Sequence, residues 1–311
     1  MAAIESGFRR GDRVVRMAIR TSYQRRRGQR DAIEPSQKTL WGVFSGNANQ
    51  TNIVYVFSGP GRLAGTTLLI RDNVDADQPD AMWLYLRSFG IFKMLDPKTE
   101  RILVPGTALS YEDSRGFIPQ DKFLFSFAES RPGAGAGLGK VGSEESSVSI
   151  LACPRSAAIS ARLGYRSLLL QVDPGKRIVR SVEYTDEGGL PLKTYRLEEE
   201  VSVGDRHLPA RVRLEHFAEG FVTTIHYEHW QPEIAPPPSL FLPNIEAGRF
   251  IERLKTYAQK TGLGGRLESD LAKSDEELRK FEERLLGMQG GEAAARGISH
   301  EESGVSDAEG E

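Results

Sequence analysis

The sequence is poor in the residues that carry covalent and metal chemistry. Its 311 residues include one cysteine, Cys153, which excludes an internal disulfide and any cysteine-rich zinc site. There are five histidines. His226 and His229 stand at odd spacing in a segment of strand pattern, where they point to opposite faces and make a poor metal-binding pair. His207 and His216 read as surface or satisfied core histidines. No metal and no cofactor is expected. No apolar run approaches the roughly 18 residues of a membrane span, and no apolar stretch near Met1 has the length of a secretory signal. Charge of one sign is lacking too: 41 lysines and arginines face 43 acidic residues, a net of −2. With 39% hydrophobic residues and 32 glycines, the chain can bury a sizeable core and must turn often.

The charge that is present is unevenly placed. Residues 1–30 hold nine arginines and net +7, whereas residues 265–311 net −7. A basic start can bind nucleic acid or anionic lipid, and an acidic end is commonly a solvating tail. Val14, Val15, Met17 and Ile19 interrupt the arginines as a first strand would, and Arg25-Arg26-Arg27-Gly28 reads as its turn. A solvated hairpin turn is the expectation, with a lipid or nucleic-acid patch as the alternatives. Only charge clustered on one face makes a footprint, and no nucleic-acid partner is expected.

The recurring pattern along the body has period two, the signature of strands. Thr51–Ser58 places Ile53, Tyr55 and Phe57 on one face. Lys122–Ala128 alternates Phe123, Phe125 and Phe127 with Lys122, Leu124 and Ser126. His207–Phe217 sets Leu208, Ala210, Val212 and Leu214 against Arg211, Arg213 and Glu215, and Phe221–Trp230 sets Phe221, Thr223, Ile225 and Tyr227 against Val222, Thr224, His226 and Glu228. Similar runs fall near 14–22, 39–45, 64–71, 82–87, 90–95, 148–153, 166–173, 177–185 and 192–201. Turn chemistry such as Asp173-Pro174-Gly175 and Glu187-Gly188-Gly189 separates them. A dozen or more strands at this spacing predict a mainly β fold built on one large curved antiparallel sheet.

Strands solvated on one side alternate, and strands covered on both sides read as apolar runs. Trp83-Leu84-Tyr85-Leu86, Leu168-Leu169-Leu170 and Thr67-Leu68-Leu69-Ile70 are of the second kind, so something covers part of the sheet. Candidate covers are few. Ala157–Leu163 is Ala-rich; Ala247–Thr261 carries Phe250, Ile251, Leu254, Tyr257 and Ala258 at helical spacing; Ser239-Leu240-Phe241-Leu242 reads as a short docking segment. Ser274 with Glu277 forms a capping-box start, followed by Leu278, Phe281 and Leu285 and extended by Leu267, Leu271 and Met288. That helix either packs back on the sheet or serves as a short coiled coil or partner helix. The predicted organisation is a basic arm over 1–12, a β domain over 13–262, an extension with an amphipathic helix over 263–290, and a disordered acidic tail over 291–311.

Motifs for chemistry are weak. Gly137-Leu138-Gly139-Lys140-Val141-Gly142 matches G-x-G-x-x-G literally, but it sits in a glycine-rich loop and not between a strand and a helix, where it would hold a pyrophosphate. Walker A fails, with Ala134 at the first glycine position. Leu151-Ala152-Cys153 looks superficially like a lipobox, in mid-chain, and Cys153 reads as a buried strand cysteine. In Ser110-Tyr111-Glu112-Asp113 the paired carboxylates could serve as general acid and base, or as a turn whose side chains bind backbone amides. No catalytic residue is assigned and the chain is not read as an enzyme.

Several segments in order resemble the outer-membrane lipoprotein-sorting family, the LolA-like carriers, especially a periplasmic branch first noted in spirochaetes. They are Arg62–Asp72, Trp83–Leu86 (WLYL) with Ile91–Leu95, Leu109–Asp113 (LSYED), Gln171–Tyr195, Leu208–His216, Thr223–Trp230 and Ser239–Leu242. The resemblance implies an incomplete antiparallel β-barrel whose concave face is covered by helices and encloses an apolar cavity. It further implies a carrier that takes acyl chains from an inner-membrane exporter to an outer-membrane acceptor in the periplasm, and a trimmed or mis-started chain is the expectation over a cytoplasmic protein. Arg87 stands after WLYL where the family commonly has proline.

Acyl chains bind by leaving water, at roughly 0.8 kcal/mol per buried CH₂, so such a carrier needs a greasy concave surface and no catalytic group. Tyr55, Phe57, Leu69, Trp83, Tyr85, Phe123 and Phe125 are the cavity candidates; the same residues would equally serve as packed core. The expectation is a noncatalytic, monomeric lipid or lipoprotein carrier of the cell envelope. The alternatives are a structural envelope or interaction module with a filled sheet, and a lipid hydrolase resting on Glu112, Asp113 and Cys153.

Overall fold

The computed structural model describes residues 12–23, 36–47, 49–58, 65–73, 80–86, 91–96, 101, 103–104, 107–115, 118, 122–128, 147–232, 235–243, 247–273 and 276. The Arg25–Arg27 turn, the Gly137–Gly142 motif, the helix predicted after Ser274 and the acidic tail lie outside the described residues.

The period-two runs form strands β1 (Arg13–Tyr23), β2 (Ser36–Gly46), β3 (Gln50–Phe57), β4 (Thr67–Asn73), β5 (Ala81–Leu86), β6 (Ile91–Met94), β7 (Phe123–Phe127), β8 (Val148–Pro154), β9 (Ser167–Asp173), β10 (Ile178–Thr185), β11 (Pro191–Val203), β12 (Arg206–His216) and β13 (Phe221–Pro232). All thirteen belong to one antiparallel sheet in the order β6-β5-β4-β3-β2-β1-β13-β12-β11-β10-β9-β8-β7. The two ends of the β region therefore meet in mid-sheet, where β1 and β13 pair from Arg13↔Pro232 to Tyr23↔Phe221. The edges are β6 and β7, consecutive in sequence but at opposite ends of the order. The sheet is not closed into a barrel. The segment joining its edges has to cross a face of it, and this fact of connectivity creates the site.

Register divides the side chains into two sets. Across β1 to β5 the partners Val14, Val43, Val54, Leu69 and Trp83 stand in one row, while the row beside it, Val15, Gly42, Tyr55, Leu68 and Leu84, points the other way. The first set packs against the C-terminal part of the chain. The 3₁₀ turn Pro238–Phe241, helix α2 (Ala247–Lys260) and a helical stretch over 264–273, α3, bury Leu240, Phe241, Leu254, Tyr257, Leu267 and Leu271 against it. These strands are thus covered on both faces, which is why they read as apolar runs. Gly262 takes φ +73 at the end of α2, a conformation open to glycine at little cost, and a Cβ on Gly264 would stand 3.0 Å from the Gln259 backbone. The glycines at 262 and 264 thus form a tight corner between two helices.

Asp270 fastens α3 to the sheet. It accepts from Trp41 Nε1 at 2.9 Å and from Arg16 Nε at 2.8 Å. Helix α1 (Ala157–Leu163) starts on the Ser156 cap and ends on Gly164. It packs Leu163 beside Phe123, Tyr165 and Leu168 on the opposite side of the sheet. No helix among the described residues is long and apolar enough to cross a membrane.

Candidate functional site

The second set of side chains surrounds a partly enclosed void of about 180 Å³. Its walls come from strands far apart in the sheet: Leu68 on β4 and Val182 on β10 line the same space. Seven strand spacings separate β4 from β10, roughly 33 Å if the sheet were flat. One small void between them requires the sheet to curl, so this face is the concave one. Met17, Ile19, Leu40, Tyr55 and Phe57 supply one wall, and Tyr195, Val212, Leu214, Ile225 and Tyr227 the other. The lining is mainly apolar and aromatic.

The roof is the segment that joins β6 to β7. Val104, Leu109, Glu112, Asp113, Ser114 and Ile118 face the void. The amide of Ala108 donates to Thr223 Oγ1 at 2.8 Å, and Thr223 in turn shares a 2.9 Å hydroxyl bond with Thr21 on the neighbouring strand. Two ion clusters hold the roof at its flanks. On one side Arg115, 1% exposed, pairs with Asp72 of β4, with Glu112 at 2.7 Å and with Asp80 at 3.2 Å. Lys122 joins through Asp80 at 2.8 Å. On the other side Lys193 of β11, 3% exposed, pairs with Asp113 at 2.5 Å. Asp113 also accepts from the Ser110 amide at 2.7 Å and the Ser110 hydroxyl at 2.8 Å. The Lys193 ammonium lies 4.4 Å from the centre of the Tyr184 ring, a cation–π contact.

This environment ties both carboxylates of the Glu112-Asp113 pair to cations. Burial pushes the Glu112 carboxyl up, but the charges of Arg115 and Lys122 outweigh it and bring the pKa down to about 2. Asp80 is held low by the same two cations and by the Asn73 amide, against its burial. Glu112 is an ion-pair partner of Arg115, and Asp113 accepts from the Ser110 amide as the turn reading expects. Cys153 pairs with exposed Leu124 on the outer face of β8, so the sheet lies between it and the roof carboxylates. Among the described residues no group of three or more His, Cys, Asp or Glu could hold a metal ion.

The seven residues singled out in the sequence fall into three places. Tyr55 and Phe57 line the void. Leu69 and Trp83 sit one register row away and pack beneath α2 and α3. Tyr85 pairs with Thr67 on that same outer set and lies against Phe92, ring centres 4.9 Å apart. Phe123 and Phe125 are on the concave face but near the β7 edge, where Phe123 stacks on Tyr165. Composition cannot separate these groups, because in a strand a shift of one residue reverses the face. The residues missed were Leu214, Ile225, Val212 and Tyr195; the alternation of β12 and β13 placed the first three on their strands' apolar faces, but no sequence signal said those faces meet β3 across a hollow.

Residues 49–244 match the model of a family described only as uncharacterized protein. The chain belongs to that family. Among curated proteins none matches it. Solved structures place the fold. A domain described as an outer membrane lipoprotein-sorting protein, from Vibrio parahaemolyticus, superposes with a TM-score of 0.64 at 17% identity, over 79% of this chain and 96% of its own. A DUF1329 family protein from Desulfovibrio piger gives 0.65 at 13%, over 78% and 93%. A LolA superfamily protein from Nitrosomonas europaea gives 0.54 at 15%, over 78% and 96%. The likeness to lipoprotein-sorting proteins read from WLYL and LSYED holds, and the fold is theirs.

Proposed function

We propose that the protein is a noncatalytic carrier that shields acyl chains of a lipid or lipoprotein in the concave cavity, working in the periplasm between an inner-membrane donor and an outer-membrane acceptor. The observation that carries this reading is an apolar void left beneath a roof that packs Val104 and Ala108 on the sheet and is tied at its flanks by ion pairs. A packed sheet would have closed that space, since interiors are dense and empty volume is costly. The fold shared with a domain described as lipoprotein-sorting supports the same reading. Tyr55 and Phe57 would touch the chain, together with Leu214, Ile225 and Val182.

The void of about 180 Å³ is little larger than an engineered cavity of roughly 150 Å³ that accepts benzene. A full acyl chain needs more room than this, so holding one would require the roof segment to move outward. The test is saturable binding of an acyl fluorophore, with solvent extraction of the purified protein to identify bound lipid. Leu214→Trp, which fills the void, is expected to weaken binding at least tenfold while Leu69→Met, on the other face, leaves it unchanged. Absence of saturable binding, or equal effects of both substitutions, would overturn the reading.

A further inference from the structure

Three tyrosines stand in the cavity wall with their hydroxyls unused. Tyr55, Tyr195 and Tyr227 all line the void, and among the described residues none of the three hydroxyls has a hydrogen-bond partner. They are not sealed against carbon either, since none is among the buried polar atoms that lack a partner. Each hydroxyl keeps some accessible surface. Tyr184 shows the contrast: its hydroxyl reaches Asp113 at 3.4 Å.

The rings are fixed by their neighbours. Tyr55 meets Phe44 edge to face with centres 5.7 Å apart, and Tyr227 stacks on Trp230 at 5.1 Å. Gly42 stands between them in the sheet. A Cβ there would come within 3.1 Å of the Tyr55 ring and 3.0 Å of Val15. The missing side chain lets the Tyr55 ring lie over β2 toward β1 and β13, where Tyr227 is. Burial, and then Tyr227, pushes the Tyr55 and Tyr195 phenols up, while the Arg13 guanidinium works against the rise at Tyr55 and Tyr227. They are therefore neutral donors in a mainly apolar space whose charged neighbours are Arg13 and the roof carboxylates.

A buried tyrosine hydroxyl ordinarily finds a partner, and leaving one unmet costs about 1–3 kcal/mol. A pure hydrocarbon in this cavity would impose that cost on whichever of the three hydroxyls it covered; phenylalanine would serve hydrocarbon better. We propose that Tyr55, Tyr195 and Tyr227 form a hydrogen-bonding band that receives the ester carbonyl at the root of an acyl chain, so that the cargo is an acyl ester and not a bare hydrocarbon tail. This rests on the carrier reading and adds to it the chemical class of the ligand. The ester can come from a glycerophospholipid or from the diacylglyceryl group of a lipoprotein, and both present the same acceptor oxygen.

The test compares two phosphatidylglycerols of equal chain length, one with ester-linked and one with ether-linked chains, as competitors for a bound acyl fluorophore. The full-length protein is expected to prefer the ester by roughly tenfold, the size of one or two neutral hydrogen bonds. Y55F/Y195F/Y227F is expected to bind both alike, with affinity for the ether lipid kept. Should the triple variant not fold, the single Y195F and Y227F variants are each expected to lose part of the preference. A synthetic diacylglyceryl-cysteine peptide run beside the ester phospholipid separates the two sources: the tighter of them is the cargo class, and both are expected to weaken in the triple variant. Equal binding of ester and ether lipid by the wild-type protein, or an undiminished preference in the tyrosine variants, overturns the ester proposal and leaves the carrier reading standing. Failure of the wild-type protein to bind any of them overturns the carrier reading itself.

Discussion

Lys193 Nζ lies 2.5 Å from Asp113 Oδ2, joining the concave face of β11 to the roof segment eighty positions earlier in the chain. Both side chains are buried, and on the far flank Arg115 makes the matching tie to Asp72 of β4. The roof is thus clamped to both walls by charge, and the space beneath it is left to apolar groups. Lifting the roof would break these pairs and also draw Val104 and Ala108 out of the core in which they are buried.

Removing one partner of such a pair strands the other in a dry setting, at roughly 3–5 kcal/mol. Lys193→Met is therefore expected to lower stability by about 3 kcal/mol in urea unfolding, and to speed amide exchange over 107–115. Adding Asp113→Asn, which keeps the acceptor for the Ser110 amide, should recover most of the loss. Additive losses in the double variant would show that the two residues act separately.

Acid should loosen the opposite flank. Glu112 has its pKa depressed to about 2 in the folded protein, burial being outweighed by Arg115 and Lys122, against about 4.5 when unfolded. Its stabilisation is complete above the unfolded value and is lost as pH falls through the folded one. The window runs from about pH 4.5 down to about pH 2, with a total on the order of 3 kcal/mol. Asp80 moves in the same direction. Melting curves should show the midpoint falling across that window, and Glu112→Gln should flatten the dependence; an unchanged slope in that variant would remove Glu112 from the account.

The C-terminal clamp makes a separate prediction. Asp270→Ala leaves the Trp41 indole N–H without its acceptor and costs about 2 kcal/mol. As α3 lifts, Trp41 fluorescence should shift to the red and hydrophobic-dye binding should rise, because Val54, Val56 and Leu69 lie beneath the helices. Asp270→Asn keeps an acceptor and is expected to fall between the two. Acyl-probe binding should survive in both, since this face is not the cavity.

Much of this was legible along the chain. Period-two patterning located every strand, from Val14-Val15-Arg16-Met17 at the start to Phe221–Trp230 at the end, because a half-buried strand writes its two faces into alternate residues. The doubly apolar runs at Thr67–Ile70 and Trp83–Leu86 announced a cover on both faces, and α2 and α3 supply the outer one. The Ala157–Leu163 and Ala247–Thr261 helices were readable from their stripes. Less was legible at the site. Of the aromatic candidates Tyr55 and Phe57 reach the void while Leu69 and Trp83 face the helices, a difference of one register row. The LSYED segment could be recognised, but its two carboxylates gain their roles from Arg115 and Lys193, one three residues away and the other eighty.

The sequence by itself determined the strands, their alternation and the family, because these depend on neighbours close in the chain. Tertiary structure alone decided that β1 meets β13, that the connection from β6 to β7 must cross the concave face, and that β3 and β12 look at each other over a hollow. Those outcomes depend on how a thirteen-stranded sheet curls, and curling is a sum of small twists and long-range contacts that no local pattern of residues records.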